Sequence, residues 1–297
     1  ILFFGAFVSF LNNSLLNVAL PTIMVDFNKD YSTVQWLATG YMLVSGVLIP
    51  VSAYLITKFK NRHLFITSMV LFTVGTALAA FAPNFGVLLA GRMVQAAGSS
   101  VMGPLLMNIM LISFSREKRG SVMGIFGLVM ITAPAIGPTL SGYIVEYYDW
   151  RFLFEMILPF ALISLVLAVW KLENIMETRD AKLDYLSVLL SVVGFGGLLY
   201  GCSMASSNGW SDQVVIFSLI VGVIGIIWFV VRQLRLEEPL LDLHVYKYPM
   251  FALGSVISMV NAAAMFSGMI LTPAYVQSVR GISPLEGILI KIQKVSK

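Results

Sequence analysis

The chain has 297 residues, 58% of them hydrophobic and only 11% charged, with a net charge of +4. Soluble domains carry about 25% charged and about 45–50% apolar residues, so soluble globular, disordered and nucleic-acid-binding classes are excluded and a bilayer-embedded protein is expected. The single cysteine, Cys202, lies inside an apolar run, which excludes a disulfide within the chain and argues against a thiol metal site.

A span needs about 20 mostly apolar residues. Nine such stretches are read, at 1–24, 33–57, 63–82, 85–113, 120–145, 152–171, 185–207, 213–233 and 250–277. The expected fold class is therefore an all-α membrane protein of nine transmembrane helices. Residues 1–24 lack the charged leading segment of a signal peptide, and their apolar run is too long for one. The chain opens on Ile1, already inside an apolar run, so part of the first span is expected to be missing.

The loop charges set the orientation. With the start of the first span in the cytoplasm, the inner loops hold Lys58, Lys60 and Arg62; Arg116, Lys118 and Arg119; Lys171, Arg179 and Lys182; and Arg232, Arg235 and Lys247. The outer loops hold only Lys29, Arg151 and Arg280. Such an asymmetry in alternate loops obeys the positive-inside rule along the whole chain. The expected location is the bacterial cell membrane, multi-pass.

Residues 131–142 read ITAPAIGPTLSG. Pro134 and Pro138 lie one turn apart, and Ala133, Gly137 and Ser141 share a helix face. An interior proline costs a soluble helix about 3 kcal/mol or more. In a bilayer, neighbouring helices re-satisfy the freed carbonyls, and a stripe of small residues admits a second helix at close range. The glycines in GFGG, 194–197, likewise read as close helix packing.

Arg92 is the strongest site candidate. It lies about seven residues, roughly 10 Å, inside the fourth span. An arginine there costs a few kcal/mol unless it faces protein or water, so a functional role is preferred to a snorkelling one. Its expected partner is Asn12 on the first span. Asn12 itself reads equally as a transport residue or as an interhelical hydrogen bond worth about 0.6–2 kcal/mol. Glu155, about a turn inside the sixth span, is either a proton-coupling carboxylate or, the preferred reading, an interfacial glutamate near Arg151. Asn17, Asn108 and Asn261 either line a pathway or bond a neighbouring helix. Trp36, Trp150, Trp170, Trp210 and Trp228 fall near span ends, as an interfacial belt would. No paired carboxylates lie in a span, and His63 and His244 fall in cytoplasmic loops. No catalytic group, metal or cofactor is expected.

Three of these segments carry a family resemblance. GRMVQAAG, 91–98, resembles the RxxQGxG motif of the major facilitators, with Arg92, Gln95 and Gly98 matching and Ala96 in a glycine position. LNNSLLNVALP, 11–21, resembles the LDxTxxNVALP signature of the first span, with Asn17 to Pro21 matching and Asn12 in the aspartate position. Gly137, Pro138, Ser141 and Gly142 resemble the GPxxGG antiporter motif. AYLITKFKNR, 53–62, is a weaker match to the loop motif GxLADRxGRK, and PLLDLHVYKYPMF, 239–251, is similar to the loop before the ninth span. The resemblance is to the drug:proton antiporter-2 branch, the fourteen-span exporters, and within it to the lincomycin-resistance group.

It implies a six-span amino-terminal bundle over 1–172, a cytoplasmic loop over 173–184, a two-span insertion over 185–233, a second cytoplasmic loop over 234–249, and over 250–297 the opening of a carboxy-terminal bundle whose remainder is expected to be missing. It also implies proton-coupled efflux of small amphipathic drugs, with Arg92, Asn12, Gln95 and Glu155 in coupling and Pro134, Gly137, Pro138 and Gly142 in the conformational motif. Asparagine cannot titrate, so the usual first-span carboxylate is absent. The alternatives are a non-transporting product of a disrupted gene and an exporter of a physiological metabolite. Protons, amphipathic substrates and lipid are the expected partners, and nucleic acid is not.

The orientation is testable with single cysteines in a Cys202-free background. An impermeant thiol reagent added to whole cells should label a cysteine at Asn84 and leave one at Ser115 unlabelled. The reverse pattern would refute the assignment.

Overall fold

The computed structural model describes residues 1–176, 178, 184–237 and 239–278. Eight long helices form one compact unit, Ile1–Leu241. They are α1 (Leu2–Asp26), α2 (Tyr31–Lys58), α3 (Asn61–Ala80), α4 (Phe85–Ser113), α5 (Arg116–Tyr147), α6 (Phe152–Lys171), α7 (Tyr185–Asn208) and α8 (Gln213–Gln233). All eight are long and apolar enough to cross a membrane. Among the described residues there is no strand. The second unit, Asp242–Lys297, opens with a short 3-10 helix, Leu243–Lys247, followed by α9 (Pro249–Ser278). Helix α9 is apolar over Pro249–Ala264. Arg280 and the lysine-bearing tail, expected to follow the ninth span, lie outside the described residues.

Polar residues at the span edges start the helices. Asp30 accepts the amide of Thr33 at 3.2 Å, and Asn84 accepts that of Val87 at 3.0 Å. Asp212 accepts the amide of Val214 at 2.8 Å. Each such cap satisfies one of the free N–H groups of a first turn and stabilises its helix by about 1 kcal/mol. Prolines do not end these helices. Pro134 and Pro138 both lie inside the unbroken α5, and Pro21, Pro50, Pro104 and Pro159 lie inside α1, α2, α4 and α6.

Packing follows the small residues. Helix α3 packs on α4 and α6, α1 on α5 and α6, α2 on α4 and α7, and α7 on α8. At Gly98 of α4, an added Cβ would collide with the Ser68 carbonyl and lie 2.6 Å from the Phe72 amide nitrogen on α3. Between α7 and α8, a Cβ on Gly194 would stand 2.9 Å from the backbone nitrogen of Ile226, and one on Gly197 would stand 3.0 Å from the Cα of Gly222. Without an aqueous driving force between helices, this backbone-to-backbone contact is what holds them together. Leu15, Ile23, Met69, Phe72, Leu105 and Ile157 fill the centre of the bundle. Phe217, Ile220, Ile224 and Ile227 on α8, and Leu162, Ile163 and Val166 on α6, stay exposed. Exposed apolar stripes on spanning helices are surface for lipid tails.

The connections are pinned at both ends of the bundle. At one end Asn61 is fully buried. Its Nδ2 donates to the Glu173 carbonyl at 2.8 Å and its Oδ1 accepts the Ile175 amide at 2.9 Å, fastening the chain that leaves α6. Arg62 donates to the Val169 carbonyl at 2.5 Å. Asp184 caps α7 and takes Arg232 of α8 at 2.7 and 3.0 Å. The hydrogen bond from Arg232 lowers the Asp184 carboxyl to about 2, so this pair stays ionised above that pH. At the other end Asp26 accepts both the Trp150 Nε1 at 3.1 Å and the Arg151 guanidinium at 3.0 Å. Trp150 is therefore buried at 1% exposure, which corrects its assignment to an interfacial belt. Trp170, Trp210 and Trp228 are exposed, and Trp36 packs on Tyr200 with ring centroids 5.7 Å apart.

Replacing Gly98 by valine should separate α3 from α4, because its obstacles are backbone atoms that cannot move aside. We expect a loss of about 2 kcal/mol or more, read as lower melting temperature and lower membrane yield of the purified chain. Unchanged melting of the Gly98→Val chain would refute this packing.

Candidate transport site around Arg92

Helix α4 carries Arg92 and Gln95 on one face, three residues apart. Both are fully buried. Arg92 Nη1 donates to Gln95 Oε1 at 2.6 Å, and Gln95 Nε2 donates to Thr76 Oγ1 of α3 at 2.7 Å. Thr76 passes its own proton to the Phe72 carbonyl at 2.7 Å. Arg92 Nη2 donates to Asn13 Oδ1 of α1 at 3.4 Å, and Nε to the Leu37 carbonyl of α2 at 3.5 Å. Under the guanidinium lies the ring of Tyr41, also on α2, 4.4 Å from Cζ to centroid. Four helices thus meet at one cation.

No carboxylate forms an ion pair with Arg92 among the described residues. The charge is held by amide and carbonyl oxygens and by the negative face of an aromatic ring. Bringing an ion out of water costs several kcal/mol even after relaxation. Neutral acceptors and a desolvated cation–π contact of about 2 kcal/mol offset part of that. The remainder makes Arg92 a poor stabilising device.

The expected partner of Arg92 was Asn12, and here the structure differs. Asn13 faces the guanidinium. Asn12 is 2% exposed on another side of α1, and its Nδ2 has no hydrogen-bond partner among the described residues. Adjacent helix positions are about 100° apart, so both asparagines cannot face α4. Asn17 lies one turn beyond Asn13 on α1 and is exposed; Asn108 is half-buried on α4, far along the helix from Arg92. Asn261 belongs to α9 of the second unit.

Glu155 is exposed in the first turn of α6. Arg151 pairs instead with Asp26 at 3.0 Å and Asp149 at 3.5 Å. A carboxylate in a first turn suits the positive end of the helix dipole.

The proline segment of α5 packs on α1. Ala133, Gly137 and Ser141 are fully buried along this seam, and a Cβ on Gly137 would collide with Ser14. Ser14 Oγ donates to the Leu11 carbonyl at 2.9 Å and lies 3.4 Å from the Ala133 carbonyl. Ser141 donates to the Leu15 carbonyl at 2.6 Å. Gly142 is buried beside them, and Pro134 and Pro138 are half-buried.

Thr76, Tyr41 and Ser99 belong to this site or its border and were not singled out from the sequence. Asn13 lies beside Asn12 in the LNNS segment, and only helical phase distinguishes the two. Thr76 had no signal beyond being a hydroxyl within an apolar span.

The whole of residues 2–291 matches the family model described as Major Facilitator Superfamily. The chain is 48% identical over 290 residues to the uncharacterized MFS-type transporter YhcA of Bacillus subtilis, covering 98% of this chain and 54% of that protein. It is 44% identical over 278 residues to the lincomycin resistance protein LmrB of Bacillus subtilis, covering 93% of this chain and 58% of that one. It thus spans little more than half the length of these relatives. A crystal structure of the peptide transporter POT in complex with sulfate superposes with a TM-score of 0.62 at 17% identity, over 97% of this chain and 63% of that one; this likeness concerns the fold alone. Eight apolar helices long enough to span a membrane and these matches agree: the chain belongs to the Major Facilitator Superfamily, as a multi-span helical membrane protein.

Proposed function

We propose that this chain is the amino-terminal part of a proton-coupled multidrug exporter of the drug:proton antiporter-2 branch. Residues 1–172 supply its first six-span bundle, 185–233 the two-span insertion, and 250–297 the opening of the second bundle. The observation that carries the reading is Arg92, a fully buried cation tied to α1, α2 and α3 with no carboxylate beside it among the described residues. Facilitators work by rocking one bundle against the other around a site at mid-membrane, and a charge held at the crossing of four helices is placed to sense such a movement.

The substrate class comes from the relatives. One is named a lincomycin resistance protein and another a multidrug resistance protein B homolog. We carry this over as export of amphipathic, mostly apolar compounds. Asn12 cannot offer a negative charge, so the substrate need not be a cation. Asn17, Asn108 and Asn261 are our candidates for the pathway. Arg92, Gln95, Asn12 and Glu155 are candidates for coupling, and the seam of α5 on α1 for the conformational motif.

The chain covers 51–58% of these relatives, so we assign export to the full-length transporter that contains this segment. Residues 1–297 expressed alone should insert and should not transport. Efflux assays in cells lacking their own exporters test the reading. The full-length protein should expel neutral amphipathic drugs in a manner abolished by collapsing the proton gradient and by Arg92→Ala. Good export of cationic dyes without export of neutral drugs would contradict the substrate class. Gradient-dependent efflux by residues 1–297 alone would contradict the assignment to a larger transporter.

A further inference from the structure

Tyr41 lies on α2, outside every motif named above. Its ring is buried, with its face 4.4 Å from the Arg92 guanidinium carbon. Its far end is fixed as well. The Tyr41 hydroxyl and Ser99 Oγ lie 2.5 Å apart, and Ser99 Oγ donates to the Ala96 carbonyl at 3.1 Å. A serine has one proton to give, so Tyr41 is the donor in the shorter contact.

The geometry makes one unit of these groups. Arg92 and Ser99 are seven residues apart on α4, two turns along the same face. Tyr41 bridges that interval, ring under the cation and hydroxyl on the serine. The Leu37 carbonyl, which takes Arg92 Nε at 3.5 Å, lies one turn earlier on α2. Helix α2 therefore grips α4 through a carbonyl and a ring face on one side of the guanidinium. On the other sides stand Asn13 and Gln95, both neutral. With no ion pair among the described residues to fix it, a guanidinium in this pocket takes its place from whichever groups attract the charge, and a π face does so when water is excluded.

We propose that Tyr41 is a positioning residue of the transport site. Its ring face holds the Arg92 charge against α2, and movement of α2 relative to α4 is thereby linked to the place of the charge; the hydroxyl bond to Ser99 adds a second tie between the two helices. The proposal rests on the exporter reading for its effect on transport and stands independently of that reading for the contact itself. The attraction belongs to the ring and not to the hydroxyl, so phenylalanine can stand in for tyrosine and leucine cannot.

Two measurements test it. In the full-length transporter, Tyr41→Phe should keep drug efflux within about threefold of the unmutated protein. Tyr41→Leu, at equal membrane abundance, should lose about tenfold or more, the size of a desolvated cation–π contact. In the 297-residue chain, a double-mutant cycle in melting temperature separates holding the charge from filling space. Tyr41→Leu should lower the melting temperature by about 5 °C when residue 92 is arginine. It should cost less than half as much in the Arg92→Met background. Equal costs in both backgrounds would reduce Tyr41 to packing and overturn the proposal, as would full efflux by the leucine variant. If the unmutated full-length protein expels no drug, the exporter reading fails, and the cycle alone decides whether Tyr41 holds the charge.

Discussion

A buried cation with no anion beside it among the described residues is the constraint on which this bundle is organised. Arg92 is fully inside, and its partners are two amides, a carbonyl and a ring drawn from α1, α2 and its own helix α4. Such a charge is tolerated only where water is replaced by oriented dipoles at close range. That demands helices near enough for side chains as short as Thr76 and Asn13 to reach the centre. Gly98, against the backbone of α3, provides this proximity two turns from Arg92. Site and packing are thus two consequences of the same short interhelical distance.

The same economy governs the remaining seams. Helix α5 presents a face of small residues to α1, and its serine bonds a backbone carbonyl there. Helices α7 and α8 meet glycine to glycine. At the helix ends Asn61 and Asp26 each bind a connection of distant sequence. Asn61 ties the α2–α3 corner to the exit of α6, and Asp26 ties the end of α1 to the α5–α6 corner. Each pair lies at one end of the bundle, as the alternation of loop charge requires. Between those ends, apolar side chains are left outward, where lipid replaces water as the solvent.

The spans were legible because bilayer thickness imposes a length and a composition, and both are visible in one dimension. The helix edges agree with the hydropathy reading to within a few residues, even through Pro134 and Pro138 in α5. Arg92 and Gln95 were legible for a related reason: a charge in an apolar run is conspicuous, and three residues in a helix return to the same face. The partner of Arg92 was not. Asn12 and Asn13 are neighbours in sequence and differ only in helical phase, which depends on how α1 turns toward α4. Trp150 looked interfacial because it sits at a span end; its burial follows from Asp26, more than a hundred residues away in sequence. Glu155 is exposed in the first turn of α6 beside Arg151, whose guanidinium is taken by Asp26 and Asp149. For Asn12 and Trp150 the sequence reading failed at a contact between distant segments.

Arg92 is held by neutral groups, and Asn13, not Asn12, faces it. Placing a carboxylate at each position tests both points together. Asn13→Asp brings an anion to within reach of the guanidinium, whereas Asn12→Asp buries one where even an amide nitrogen finds no partner. Measured on the purified chain in detergent, Asn13→Asp should raise the melting temperature and Asn12→Asp should lower it, by about 5 °C in the second case. Stabilisation by Asn12→Asp together with destabilisation by Asn13→Asp would contradict the geometry on which the account rests.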